Sequence, residues 1–267
     1  MGKILFLLIS CFWMTATAQA FDHKHSDWNR LLRENVHWDS KGVASTVDYR
    51  SFLRQQTELD RYLDGLSGVT QKDYAAWQKP QQLVFLINAY NAFTIKLILS
   101  KYPNLESIKD LGSFFSSPWE KRFFSLLGKQ LSLDDIEHGL IRQPGVFDEP
   151  RIHAAVVCAS IGCPGLRDEA FVFEKIDAQL EDSLRRFLFD RSRNRYNAET
   201  DRLEVSKIFD WYGDDFIDYR GYTSVSGVFG EYAELLADNK AVQLRIKAGE
   251  VPLEFLNYNW RLNDSHK

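Results

Sequence analysis

Apolar positions recur at helical spacing over residues 50–66, where Phe52, Leu53, Leu59, Tyr62, Leu63 and Leu66 fall on one side of a predicted helix. A shorter amphipathic helix is predicted over 27–35, an extended piece over 42–49, and a further helical turn over 74–77. The run L-V-F-L-I-N-A-Y-N-A-F-T-I-K-L-I-L at 83–99 is apolar on nearly every side, which predicts a helix buried all round. Asn88, Asn91, Thr94 and Lys96 interrupt it, so protein core is expected around it and not lipid, and it stops before Pro103. Asn88 and Asn91 are three apart and share a face, where buried amides need partners. Bracing of neighbouring loops is the expectation for at least one of them.

Further on, 123–131 reads as two short strands around Gly128-Lys129. Ser132 and Asp135 form an S-x-x-D capping pattern that opens a helix carrying Ile136, Leu140 and Ile141, with Glu137 and His138 beside them. That helix ends at Pro144-Gly145. The β-branched run 152–157 after Pro150 predicts a buried strand, and Gly162 and Pro164 turn the chain after it. An amphipathic helix is predicted over 171–188, a hairpin around 197–201, two short helices after the block K-I-F-D-W-Y-G-D-D-F, and an aromatic strand over 255–262. Helices and strands mix without regular βαβ alternation. The expected class is therefore α+β: a single domain over 21–267, its buried central helix packed on a mainly antiparallel sheet.

Composition adds little to this picture and the N-terminus adds more. The 267 residues are 45% hydrophobic and 26% charged, with a formal charge of −4 and no long basic run, so no electrostatic footprint for nucleic acid is present. Lys3, the apolar stretch 4–14 and Ala18-Gln19-Ala20 have the form of a secretory signal peptide over residues 1–20. The stretch is too short to span a bilayer comfortably, so a periplasmic or secreted chain with no stable transmembrane segment after cleavage is expected. Leu8-Ile9-Ser10-Cys11 loosely resembles a lipobox, which makes lipid anchoring at Cys11 the minor alternative. Cleavage after Ala20 leaves Cys158 and Cys163, a pair that can close a small disulfide loop in an oxidising compartment.

The stretch R-I-H-A-A-V-V-C-A-S-I-G-C-P at 151–164 concentrates the reactive chemistry. A thiol with a pKa of about 8.5 needs activation at neutral pH, and an imidazole can supply it by taking the proton. Cys158 is the candidate nucleophile, His153 the base, and Glu137 the carboxylate that orients the ring; Asn88, Asn91, Arg151 and Cys163 are candidate supporting residues. On an ideal strand, however, His153 and Cys158 would face opposite sides, so a turn or bulge before Cys158 is required. The C-x4-C spacing is not that of a thioredoxin-type site, and His138 and His153 fit no familiar zinc pattern. Asp210, Asp214 and Asp215 lack the alternation of a calcium loop, so no metal or cofactor is expected.

Five blocks carry a family resemblance: L-V-F-L-I-N-A-Y-N-A-F-T-I, L-D-D-I-E-H-G-L-I-R, R-I-H-A-A-V-V-C-A-S-I-G-C-P, V-S-K-I-F-D-W-Y-G-D-D-F and L-N-Y-N-W-R-L-N. In this order they resemble the DUF547 domain family. The resemblance implies family positions at Asn88, Tyr90, Asn91, Glu137, His138, His153 and Cys158. Cys163 matches the bacterial form of the pattern, and plant relatives commonly carry another residue there. The family's helix-then-histidine layout is similar to that of papain-like and transglutaminase-like cysteine enzymes, although here the helix offers asparagines and no cysteine. The expected activity is that of an exported cysteine-dependent hydrolase or acyl-transferase on amide bonds of a small molecule or peptide. The alternative is a non-enzymatic envelope or binding protein with a structural Cys158–Cys163 disulfide, and a redox role comes third.

Overall fold

The helix expected at 83–99 begins one turn earlier, at Lys79, and runs 21 residues to Leu99. Pro80 in its first turn needs no hydrogen-bond partner, and the Gln81 side chain accepts from the Gln78 backbone N–H at 3.0 Å. By length and hydropathy it could cross a membrane, yet 94% of its apolar window is buried inside the protein. The computed structural model describes residues 21–113 and 116–267; the segment expected to be a signal peptide and Cys11 lie outside the described residues.

In chain order, α1 (Ser26–Asn35) leads into a two-stranded antiparallel pair, β1 (Val36–Trp38) and β2 (Ser45–Val47). The predicted helix at 50–66 is broken at Gln55 into α2 (Tyr49–Arg54) and α3 (Gln56–Ser67). Asp48 caps α2 by accepting from Ser51 N–H at 2.8 Å. Next come α4 (Gln71–Ala76) and the central α5 (Lys79–Leu99). The hairpin β3 (Phe124–Leu126) and β4 (Lys129–Leu131) then precedes α6 (Leu133–Ile136), whose Ser132–Asp135 capping box forms as the sequence suggests. Phe124 stacks on Phe93 of α5 with centroids 3.8 Å apart, which docks that hairpin on the central helix.

The C-terminal part contains α7 (Ile176–Phe189), β5 (Arg195–Asn197), β6 (Arg202–Val205), α8 (Ile208–Trp211), α9 (Val225–Glu231), α10 (Ala233–Leu236), α11 (Lys240–Lys247) and β7 (Leu253–Phe255). β5 and β6 form the expected hairpin, and β7 adds beside β6 in parallel. The class is α+β, and pairing is mainly antiparallel, but among the described residues it is divided into three small sheets. One hydrophobic core surrounds α5; a second joins α7, β6 and the helices after it.

The predicted strand at 152–157 does not form. Pro150–Ala154 is a 3-10 helix, with Ile152 N–H bonded to Glu149 O at 3.2 Å and Ala155 N–H to Ile152 O at 2.8 Å. Beyond it residues 155–158 pair with no strand among the described residues. The Asn91 side chain takes that place, donating to Ala155 O and accepting from Val157 N–H, both at 2.9 Å. The β-branched residues are buried against the first core all the same. Burial, and not sheet pairing, explains their apolar character. The predicted helix at 171–188 likewise starts late: the Phe171 backbone is taken up by Asn88, which donates to its C=O at 2.9 Å and accepts from its N–H at 3.1 Å, and Val172 after it is extended. The expected strand at 255–262 is regular only to Phe255; residues 259–263 instead run alongside the cysteine loop.

Candidate functional site

The loop after the 3-10 helix brings Cys158 and Cys163 together. Ala159 adopts a left-handed conformation (φ 60°), which reverses the chain immediately after Cys158. A non-glycine residue held this way costs about 1–3 kcal/mol and must be fixed by its surroundings. Here the surroundings are the 259–263 segment: Ile161 N–H donates to Arg261 O and Gly162 N–H to Asn259 O, both at 2.8 Å, and Asn263 N–H donates to Ala159 O at 3.2 Å. Arg193, salt-bridged to Asp190, donates to the carbonyls of Ile161 and Cys163. Gly162 is required where it stands, because a Cβ there would lie 2.9 Å from the Tyr258 ring.

Cys158 and Cys163 are joined as a disulfide, Cα–Cα 6.3 Å, with Cys163 buried and Cys158 half-buried. The Tyr258 hydroxyl lies 3.0 Å from each sulfur, and the Ser160 hydroxyl is 3.0 Å from Cys158 Sγ. Burial pushes the Tyr258 hydroxyl's pKa well up, so it stays protonated and able to donate.

Across the same cavity, of about 280 Å³, stand Glu137 and His153. Glu137 opens a turn of π-helix, Glu137–Ile141, in which Arg142 N–H bonds back to Glu137 O at 2.9 Å. The widened turn places its carboxylate inside the protein, beside the Tyr90 and Tyr212 hydroxyls. His153 is buried, stacked on Tyr212 with centroids 4.1 Å apart and 10° between planes. Its Nε2 is 2.7 Å from Asp215 Oδ2, while its Nδ1 is 4.0 Å from Glu137 Oε1, beyond hydrogen-bond reach. The carboxylate that orients the ring is therefore Asp215.

Asp215 is itself clamped by Arg142, whose Nε and Nη2 donate to its two oxygens at 2.6 and 2.9 Å. Burial works to raise the Asp215 pKa, but the hydrogen bonds from His153 and Arg142 outweigh it and hold the carboxyl well below the usual range. An ionised Asp215 accepts from Nε2–H, so in the neutral tautomer the lone pair is on Nδ1. Because residues 150–154 are a 3-10 helix and Ala159 turns the chain, no strand alternation separates His153 from Cys158. Both line the one cavity.

The remaining sequence candidates stand elsewhere. Asn88 and Asn91 are backbone clamps on α5, one holding Phe171 and the other Ala155 and Val157. Arg151 is a buried ion-pair hub, bonded to Glu149, Asp177 and Glu181, and does not line the cavity. His138 lies at the rim, 3.3 Å from Asp134. Four residues of the cavity and its support, Asp215, Tyr258, Trp211 and Trp260, have no role in the sequence-based site although each lies in one of the five blocks; Trp119, also in the lining, lies outside them. Among the described residues, no group of three or more His, Cys, Asp or Glu side chains is arranged to hold a metal ion.

Residues 74–188 match the model of a family described as a protein of unknown function, DUF547, in agreement with the resemblance carried by the sequence blocks. No curated protein and no solved structure matches the chain.

Proposed function

We propose that this DUF547 protein is an exported cysteine-dependent hydrolase or acyl-transferase acting on an amide- or ester-type carbonyl. The observation that carries the reading is a single cavity lined by Cys158, His153 and Glu137, with His153 oriented from behind by Asp215. Export rests on residues 1–20 of the sequence alone.

The active form in this reading is the dithiol. An external dithiol reductant splits the Cys158–Cys163 bond, supplying two electrons and two protons. His153 Nδ1 then takes the Cys158 proton, and the imidazolium is stabilised by Asp215 on one side and Glu137 on the other. The thiolate attacks the carbonyl carbon, and an S–C bond forms. The leaving amine or alcohol receives its proton from His153 as its bond to carbon breaks. Water or an acceptor amine gives a proton to His153 and displaces the acyl group. The Tyr258 hydroxyl, 3.0 Å from Cys158 Sγ, is placed to steady the thiolate.

The test uses p-nitrophenyl acetate on protein reduced under mild conditions. The expected result is a stoichiometric burst of nitrophenol with an acetyl adduct mapped to Cys158, absent in Cys158→Ser and slowed at least about 100-fold in His153→Ala, the usual scale of general-base catalysis. Equal reactivity of wild type and Cys158→Ser would remove the proposal. A second reading, a non-enzymatic binding protein, is favoured by the Cys158–Cys163 bond itself. It predicts a pair that resists mild reduction and a cavity that binds without turnover.

A further inference from the structure

The cavity has an unusual balance of charge and ring surface. Trp119, Trp211, Tyr212, Tyr258 and Trp260 supply much of its lining, while Asp134 and Glu137 are its carboxylates and, among the described residues, no lysine or arginine lines it. The rings form one continuous wall: Trp211 stacks near Trp260 with centroids 5.7 Å apart, Tyr258 lies 4.4 Å from Trp260, and Trp119 meets Trp260 edge-on at 5.6 Å. Trp211 is 43% exposed, so this wall is open to a ligand and not sealed as core.

Glu137 is buried, yet among the described residues no lysine or arginine nitrogen lies within 4.0 Å of its carboxylate. Its neighbours are two tyrosine hydroxyls and His153. The nearby guanidinium, Arg142, is committed to Asp215 through two bonds. A buried carboxylate facing a cavity of aromatic faces is a setting that attracts a positive group, because ring faces carry negative electrostatic potential. The same wall already shows the affinity in miniature: Lys109 places its ammonium 3.9 Å from the Trp260 centroid, although Lys109 does not line the cavity.

We infer that the cavity selects a substrate carrying a cationic nitrogen, an amine or guanidinium on a short aliphatic stem, beside the carbonyl that Cys158 would attack. This substrate class rests on the hydrolase reading, but the binding preference has its own support. The nitrogen is held between Glu137 and the tryptophan faces while the stem lies along Val156 and Ile208. At about 280 Å³ the space suits a side-chain-sized group and not a larger ligand.

The experiment titrates the intact, oxidised protein with Nα-acetyl-lysinamide, Nα-acetyl-norleucinamide and Nα-acetyl-glutamamide, following tryptophan fluorescence. These probes share a backbone and differ at the end of the side chain. The expected result is saturable binding of the lysine probe, about tenfold tighter than the norleucine probe. Trp211→Ala and Glu137→Gln should each erase most of that margin, read as the lysine-to-norleucine affinity ratio within the same variant. Trp211 is exposed enough that its substitution spares the fold. Equal binding of all three probes, tighter binding of the norleucine or the glutamamide probe, or no binding of any would overturn the inference. None of those results touches the Cys158 acylation assay. Conversely, selective lysine-probe binding by a protein whose Cys158 never acylates would end the hydrolase reading and leave the cation preference standing.

Discussion

At the level of single residues, the site depends on Asp215 more than on the carboxylate that sequence spacing suggests. Asp215 is bonded to His153 and clamped by Arg142, which keeps its pKa low. A carboxyl whose folded pKa is depressed stabilises the fold above its unfolded value and loses that contribution as pH falls through the folded value. Asp215→Asn should therefore lower the urea midpoint at pH 7, with the gap to wild type closing as pH drops below about 4. A gap that persists at low pH would mean the loss is not electrostatic. Gly162→Ala should push the Tyr258 ring away from the sulfurs and slow Cys158 acylation while leaving the bulk fold intact, checked by circular dichroism beside the acylation assay. Cys158 and His153 stand out in the sequence because cysteine and histidine are rare in this chain, whereas Glu137 is one acidic residue among many and is not the one bonded to the ring. Asp215 was visible only as one of three aspartates in an aromatic block, and nothing in its local pattern distinguishes it from a solvated neighbour.

Among the elements, the central helix is legible in the sequence because an apolar surface on every face allows few other placements. The strand predicted at 152–157 failed because periodicity reports burial and not the hydrogen-bond partner. There the partner is the Asn91 side chain, which satisfies Ala155 O and Val157 N–H. Asn91→Leu, which removes both partners at a buried position, should cost about 2–5 kcal/mol of stability by leaving two backbone groups unpaired. Equilibrium urea unfolding checks this. Asn91→Asp keeps the acceptor for Val157 N–H but loses the donor to Ala155 O, and it places a charge in the core, so it should be no milder. Because residues 150–159 carry both His153 and Cys158, the same substitutions should also weaken Cys158 reactivity in whatever fraction remains folded.

Across the whole molecule, the site is assembled from distant parts of the chain. The family model matches residues 74–188, yet Asp215 and Tyr258 lie beyond it. The segment that carries the site lies between the two cores, with Ile152 in one and Ala154 in the other. Acid should act on the fold as a unit through His25. Burial lowers its pKa to about 3, with Asp22 opposing and His23 adding to the effect, and its Nε2 has no hydrogen-bond partner. The unfolded chain takes up that proton at about pH 6.5 and the folded chain does not, so stability should fall steadily from pH 6.5 towards 3. In His25→Phe the slope over that window should flatten, as read from urea midpoints, although the lost bond to Tyr62 lowers the whole curve.

The measurement that bears most directly on the central claim is the rate of Cys158 alkylation by iodoacetamide against pH, in mildly reduced wild type, His153→Ala and Asp215→Asn. The proposed site predicts that wild-type Cys158 reacts with an apparent pKa well below the ordinary thiol value of about 8.5. That pKa should return to the ordinary range in His153→Ala and move partway back in Asp215→Asn. An ordinary or raised pKa in the wild type, unchanged by either substitution, would contradict an activated nucleophile and leave the cavity as a binding site closed by a structural disulfide.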